Sequence, residues 1–308
     1  MKRNSLKYIA TIIAFAALSL QVTFSVAQDT LVVTEEEVTE TPKDTPARPA
    51  FESGLLFDAA TTTIQPSKTL EMVIQHRFGT IDQGITDLFG IWAGSNIRLA
   101  MNYSILNNLQ VGVGTMKFSK MTDFQAKYNI IRQTRSNRIP VTVSVYGIMG
   151  IDGSNEAKYG VNYKFSNRYS YFTQIIVSHR FNEMFSLQVA PGFTHYNSVD
   201  SAYDHDRVSM SFAGRVKFSP QTSFIISGDF PLQIQAISEH RKEINDVTER
   251  MKPNLCAGFE IATSTHAFHI YAGSAQNILP HDAIMWNTND FFSKGILIGL
   301  NVTRLWGF

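Results

Sequence analysis

The chain closes on Asn301–Phe308, NVTRLWGF, and the reading of this stretch decides the fold. In steps of two, Phe308, Trp306, Arg304, Val302, Leu300, Ile298 and Ile296 fall on one side, with Arg304 alone breaking the apolar set. Gly307, Leu305, Thr303, Asn301 and Gly299 fall on the other. Period-2 alternation is the pattern of a strand with two unlike faces. Final residues of soluble domains are ordinarily frayed and polar, so a strand ending on an aromatic predicts a sheet whose apolar face meets something other than water.

The same alternation recurs upstream. In NIRLAMNY (96–103), Ile97, Leu99, Met101 and Tyr103 oppose Asn96, Arg98, Ala100 and Asn102. LQVGVGT (109–115), DFQAKYNII (123–131) and RVSMSFAGRVKF (207–218) repeat it. Twelve such segments are expected, over 69–78, 96–104, 109–118, 123–132, 139–149, 169–180, 184–194, 208–218, 222–231, 254–262, 266–273 and 295–308. Links after the first, fifth, seventh, ninth and eleventh are long, whereas 105–108, 181–183, 218–221 and 263–265 are short. Membrane barrels pair short periplasmic turns with longer outer loops in this way. The link at 119–122 and the turn at 133–138 fit the alternation less well.

A soluble β-sandwich or a lipocalin-like barrel also has period-2 strands, with the apolar face turned inward. Two features favour a membrane barrel. The polar faces carry small residues and isolated charges, and aromatics recur near strand ends, as at Tyr169, Tyr171, Phe181, Phe185 and Phe193. Such rings suit the membrane–water boundary.

The opening residues add an address. Lys2, Arg3 and Lys7 precede an apolar stretch, Ile9–Leu20, and Ser25-Val26-Ala27 offers small residues before a cleavage site. This is the secretory signal pattern, and the stretch is short for a membrane-spanning helix. Residues 1–27 are therefore expected to be a signal peptide, 28–50 a disordered acidic linker with six acids, two bases and three prolines, and 51–308 the barrel. Removing 1–27 takes away three of 27 cations and none of 26 acids, leaving 24 against 26 and a charge near −2. That balance gives no footing for nucleic acid. A lone cysteine, Cys256, excludes a disulfide framework and reads as a small buried residue.

The last strand resembles the C-terminal β-signal of outer-membrane proteins, with Trp306 and Phe308 as its aromatics. The resemblance implies recognition by the barrel-assembly machinery, an extended peptide being captured by strand addition. RPAFESG (48–54), IQHRFG (74–79), FGIWAGSNIRLA (89–100) and KMTDFQAKYNIIRQT (120–134) look like the opening half of an uncharacterised β-barrel family found mainly in Bacteroidota. That resemblance implies a bacterial outer-membrane location among outer-membrane lipid and carries over no catalytic residue.

The expected fold is thus an all-β, antiparallel up-and-down transmembrane barrel of twelve strands. Its polar faces nominate Gln75, Arg77, Arg98, Asn102, Gln125, Lys127, Gln174, Arg215, Lys217, Asp229 and Glu260 as lumen residues. The basic excess among them implies a mild anion preference if the lumen is open. The apolar stripe Ile81, Ile85, Leu88, Phe89 and Trp92 is expected to pack into the barrel mouth, and 238–254 can form a short helix. No catalytic, cofactor or metal site is expected. His195-Tyr196-Asn197-Ser198 lacks the spacing and glycine of a phospholipase element. Asp204-His205-Asp206 reads as a polar loop rather than a protease pair, and His266 and His269 point to opposite strand faces. The expected function is a narrow channel or binding barrel for a small-molecule solute. The alternatives are an outer-membrane enzyme acting on lipid or protein, which requires a Ser–His or carboxylate–His pair at one rim, and a non-conducting structural or interaction barrel, filled because twelve strands enclose only a narrow interior.

Overall fold

Alternation at period 2 becomes twelve long strands in the computed structural model, which describes residues 44–201, 203–232, 234 and 251–308. A two-residue hairpin comes first, β1 (Leu55–Leu56) and β2 (Ala59–Ala60). The wall strands are β3 (Thr69–Thr80), β4 (Asn96–Leu106), β5 (Leu109–Met116), β6 (Thr122–Ile131), β7 (Thr142–Ile151) and β8 (Tyr169–Arg180). They continue as β9 (Phe185–Tyr196), β10 (Asp206–Lys217), β11 (Thr222–Leu232), β12 (Asn254–Ala262), β13 (His266–Gly273) and β14 (Leu297–Gly307). Each pairs antiparallel with its sequence neighbours, and β14 pairs with β3 to close an up-and-down barrel. Closure abolishes the sheet edges that would otherwise leave backbone groups unpaired.

The face assignment separates a membrane barrel from a soluble one. On β4, Arg98 is 4% exposed while its neighbours Leu99 and Met101 are 43% and 53% exposed. Polar residues face in and apolar residues face out, the reverse of a lipocalin. At the seam, Trp306 lies opposite Leu70, and the Phe308 amide donates to the Lys68 carbonyl at 3.0 Å. Arg304, the break in the apolar pattern, donates to His266 Nε2 at 2.6 Å and lies 5.2 Å from the Trp306 ring centroid.

The interior is filled from both ends. From the short-turn rim, residues 50–64 run up inside the barrel, burying Phe51, Leu56 and Phe57 against Ala213, Ile225, Cys256 and Tyr271. From the long-loop rim, a helix α1 (Pro280–Trp286) enters, preceded by Ile278 and Leu279. Pro280 at the first helical position, where an amide would be unsatisfied anyway, starts this helix. Residues Pro280–Met285 are buried, the polar His281 and Asp282 among them. Ala60 of the lower segment shares one buried cluster with Ile278, Leu279 and Ile284, so the two fillings belong to a single core.

Two expectations change. Thr45–Ala47, assigned to the linker, pair with the 133–135 turn through the Ala47 amide to Gln133 and the Arg135 amide to Thr45. The stripe of Ile81, Ile85, Leu88, Phe89 and Trp92 does not enter the mouth: Ile85 is 79% and Trp92 72% exposed. Its 3-10 turn is broken at Gly84, at φ 63°, and Leu88 and Phe89 also take positive φ, so no continuous helical face forms. The mouth is occupied by α1 instead. The helix considered over 238–254 lies almost wholly outside the described residues.

Candidate functional site

Each lumen residue nominated from the sequence faces inward, and each is already engaged. Gln75 donates to the Phe57 carbonyl (3.0 Å) and accepts from Arg98 Nη1 (2.7 Å). Arg98 grips Asp123 with two nitrogens, Nε to Oδ2 at 2.9 Å and Nη2 to Oδ1 at 2.5 Å. Asn102 donates to Glu71 (3.0 Å) and accepts from Gln125 (2.6 Å), which in turn accepts from Tyr146 Oη (2.5 Å). Gln174 donates to Ser211 Oγ (3.1 Å), and Ser211 donates to Asp229 (2.6 Å).

The rest bind the threading segment itself. Arg77 pairs with Asp58, Lys127 Nζ donates to the Gly54 carbonyl (3.1 Å), and Glu260 accepts from Ser53 (2.5 Å). Arg215 and Lys217 both reach Glu52, at 3.2 and 2.8 Å. The anion preference inferred from the basic excess therefore loses its basis. Asp58, Glu52, Glu71 and Asp123 compensate these cations within the barrel. Between Gly54, Ala60, Arg98, Lys127 and Tyr146 the remaining cavity is about 20 Å3, room for one water.

Sequence reasoning weighed a filled barrel but did not identify what fills it, although signals for the occupant existed. Phe172 and Ile176 lie on the inward face of β8 and are buried. A lumen lined with large apolar side chains needs an apolar occupant. FESGLLFDAATTTI (51–64) is apolar enough to be that occupant and too irregular to be a wall strand.

The long-loop rim carries a second feature. Helix α1 is anchored by Tyr196 Oη, which donates to Asp282, and by His281, whose Nε2 lies 3.3 Å from Ser170 Oγ. Burial pushes the His281 imidazole below its usual range and the Asp282 carboxyl above its own. Beside the helix is a pocket of about 410 Å3, walled by Asp152, Lys158, Tyr159 and Arg168 from one loop and Tyr196, Asn277 and Trp286 opposite. Burial raises the Asp152 carboxyl, but hydrogen bonds from Lys158 (2.5 Å) and the Ser154 amide (2.7 Å) outweigh it and hold it below the usual range.

Residues 51–306 match a family described as a membrane bound beta barrel domain (DUF5777). The chain belongs to that family. No curated protein matches it. Among solved structures, the chain is similar to the NanC porin at 9% identity and TM-score 0.47, covering 78% of this chain and 99% of that one. It is also similar to an outer membrane channel from Pseudomonas putida F1, at 12% identity and TM-score 0.47, covering 80% and 97%. The KdgM porin follows at 8% identity and TM-score 0.43, covering 78% and 99%.

The rim pairs that an enzyme would need take two forms in this member of the family. His195 Nδ1 lies 2.6 Å from Asp206 Oδ1, in a half-exposed pair at the rim. Ser170 and His281 approach, but both are shut off from solvent and His281 Nδ1 has no partner to orient the ring. Acyl transfer at a serine requires an oriented base and an accessible nucleophile. Among the described residues no group of three or more His, Cys, Asp or Glu side chains is placed to hold a metal ion. His266 and His269 fall on opposite faces, the latter donating from Nε2 to Glu260 at 3.3 Å.

Proposed function

We propose that this protein is an outer-membrane barrel with a closed lumen, one that holds a small solute at its long-loop rim and does not conduct in the state described here. The observation that carries this reading is the Phe51–Ile64 segment, buried along the barrel and hydrogen-bonded to inward residues of β3, β6, β8, β9, β10 and β12. An open pore needs its polar lining hydrated, whereas here the lining is satisfied by protein groups. The outer-membrane address rests on the family, the secretory pattern at 1–27 and the aromatic strand ends. With that address, the short-turn rim faces the periplasm and the long loops face outward. Trp306 and Phe308 then form the strand end offered to the barrel-assembly machinery.

Planar-bilayer recording of the folded, detergent-purified protein tests the closed lumen. The intact chain is expected to be silent, and a variant lacking residues 51–64 to show conductance steps. Reproducible steps from the intact, heat-modifiable protein would overturn the reading. The hydrolase alternative keeps one candidate, the half-exposed His195–Asp206 pair at the rim, since the buried Ser170–His281 approach has neither access nor an orienting group.

A further inference from the structure

The pocket at the long-loop rim has a chemistry narrow enough to name its ligand class. We propose that it binds a neutral polyhydroxylated ring, a mono- or disaccharide, and this rests on the reading of the barrel as a solute-holding protein. Its volume, about 410 Å3, is in the range of small-ligand sites. Five aromatic side chains, Phe118, Tyr159, Tyr169, Tyr196 and Trp286, line it together with Ser119, Ser198, Asn167 and Asn277.

The charged groups of the pocket walls are engaged within the protein, Lys158 by a carboxylate and Arg168 and Asp282 by neutral groups. Lys158 Nζ lies 2.5 Å from Asp152 Oδ2. Arg168 donates to the carbonyls of Asp152 (2.7 Å) and Ser154 (2.6 Å). Its guanidinium also lies 5.4 Å from the ring centroid of Tyr159 and 5.0 Å from that of Tyr163. Asp282 accepts from Tyr196 Oη. An anionic ligand drawing Lys158 away would leave the Asp152 carboxylate, 10% exposed, without its cation, and a ligand seeking Arg168 would have to displace the carbonyls it already serves.

What remains for a ligand is a set of ring faces, amides and hydroxyls. Amide side chains both donate and accept, and so match a ring of vicinal hydroxyls, each of which does the same. Ring faces carry a negative quadrupole and attract the weakly positive C–H bonds on the flat side of a pyranose. A purely apolar ligand would leave the amides unsatisfied, and a planar cation would compete with Arg168 for the tyrosine faces. The combination of rings, amides and already engaged charges fits an uncharged sugar.

Titration calorimetry on the full chain in detergent tests this, with glucose, maltose and N-acetylglucosamine against glucosamine and N-acetylneuraminate as cationic and anionic counterparts. Saturable heat is expected from at least one neutral sugar, with the charged analogues weaker by about tenfold or more. Tyr159→Leu and Asn277→Ala, on separate loops, should each weaken it several-fold while heat-modifiable mobility stays normal. Absence of binding by all three neutral sugars overturns the inference, as does binding unaffected by both variants, or heat from the charged analogues alone. A silent bilayer together with absent sugar binding would sink this inference and leave the closed-lumen reading standing. Conductance steps from the intact chain would sink that reading instead.

Discussion

Asp58, on the segment threading the barrel, and Arg77, on wall strand β3, form an ion pair in which both side chains are cut off from solvent. Arg77 also lies over the Tyr271 ring at 4.7 Å, and Asn254 donates to Asp58 Oδ2 at 3.0 Å. The pair ties the filling to the wall at the point where both are buried.

Removing one partner of such a pair strands the other. Asp58→Ala is expected to cost about 3–5 kcal/mol by leaving Arg77 buried and uncompensated. Replacing both together, Asp58→Leu with Arg77→Met, should recover most of that loss. Urea unfolding of the detergent-folded protein, followed by tryptophan fluorescence, measures both. Equal losses in the single and double variants would show that the pair is not the tie.

Cys256 provides an internal reporter of the same seat. Its thiol is buried and faces inward, with Sγ 3.9 Å from Asp58 Oδ2. In the folded chain, a bulky water-soluble maleimide should label it slowly or not at all. Asp58→Ala, or removal of residues 51–64, should speed labelling by an order of magnitude or more, since exposure controls access to the thiol. Rapid labelling of the intact protein would mean that the segment leaves the lumen readily.

Tyr271 needs the missing side chain of Gly299. A Cβ at Gly299 would lie 2.3 Å from the Tyr271 ring, which stacks against Phe57 with centroids 4.1 Å apart. Gly299→Val therefore displaces the tyrosine and breaks the stack. A destabilisation of about 1–3 kcal/mol is expected from the overpacking. Denaturant midpoints should show it, and Phe57→Ala in the Gly299→Val background should then cost less than in the parent.

Acid acts on α1 through two groups of opposite sign. His281, packed near Asp282, Asp123 and Arg98, is held below its ordinary 6.5 by burial. As pH falls through 6.5, the undocked loop takes up a proton that the buried ring refuses, so docking weakens until the lowered folded value is passed. Asp282 is raised from 3.8, so between that value and its raised one the docked carboxyl keeps a proton that the undocked loop releases, and acid favours docking there. Wild-type protein should thus lose thermal stability as pH falls below about 6.5, a loss that His281→Gln should not show. Identical pH profiles for the two proteins would remove His281 from this role.

The wall of this barrel was legible along the chain. Ile97, Leu99, Met101 and Tyr103 alternate with Asn96, Arg98, Ala100 and Asn102, and the structure turns the first set outward and the second inward. Strand limits followed to within a few residues, as with β8 at Tyr169–Arg180 and β13 at His266–Gly273. Period-2 patterning is local, and every wall strand pairs with its neighbours in sequence, so no long-range information was needed to order the sheet.

What lies inside the barrel is different in kind. Phe57 meets Tyr271 and Asn301, and Ser53 meets Glu260, across separations of about two hundred residues that no repeat announces. Nor could exposure of Ile85 and Trp92, or burial of Ile278 and Ile284, be read from hydrophobicity, since both loops are apolar. The sequence by itself determined a membrane wall, because alternation is a property of the extended chain. Whether that wall encloses water or protein was decided only by the tertiary structure. It depends on which apolar segments reach the inward-facing Phe172, Ile176 and Tyr271 and on which acids meet Arg77 and Arg98, and those meetings exist only once the barrel has closed.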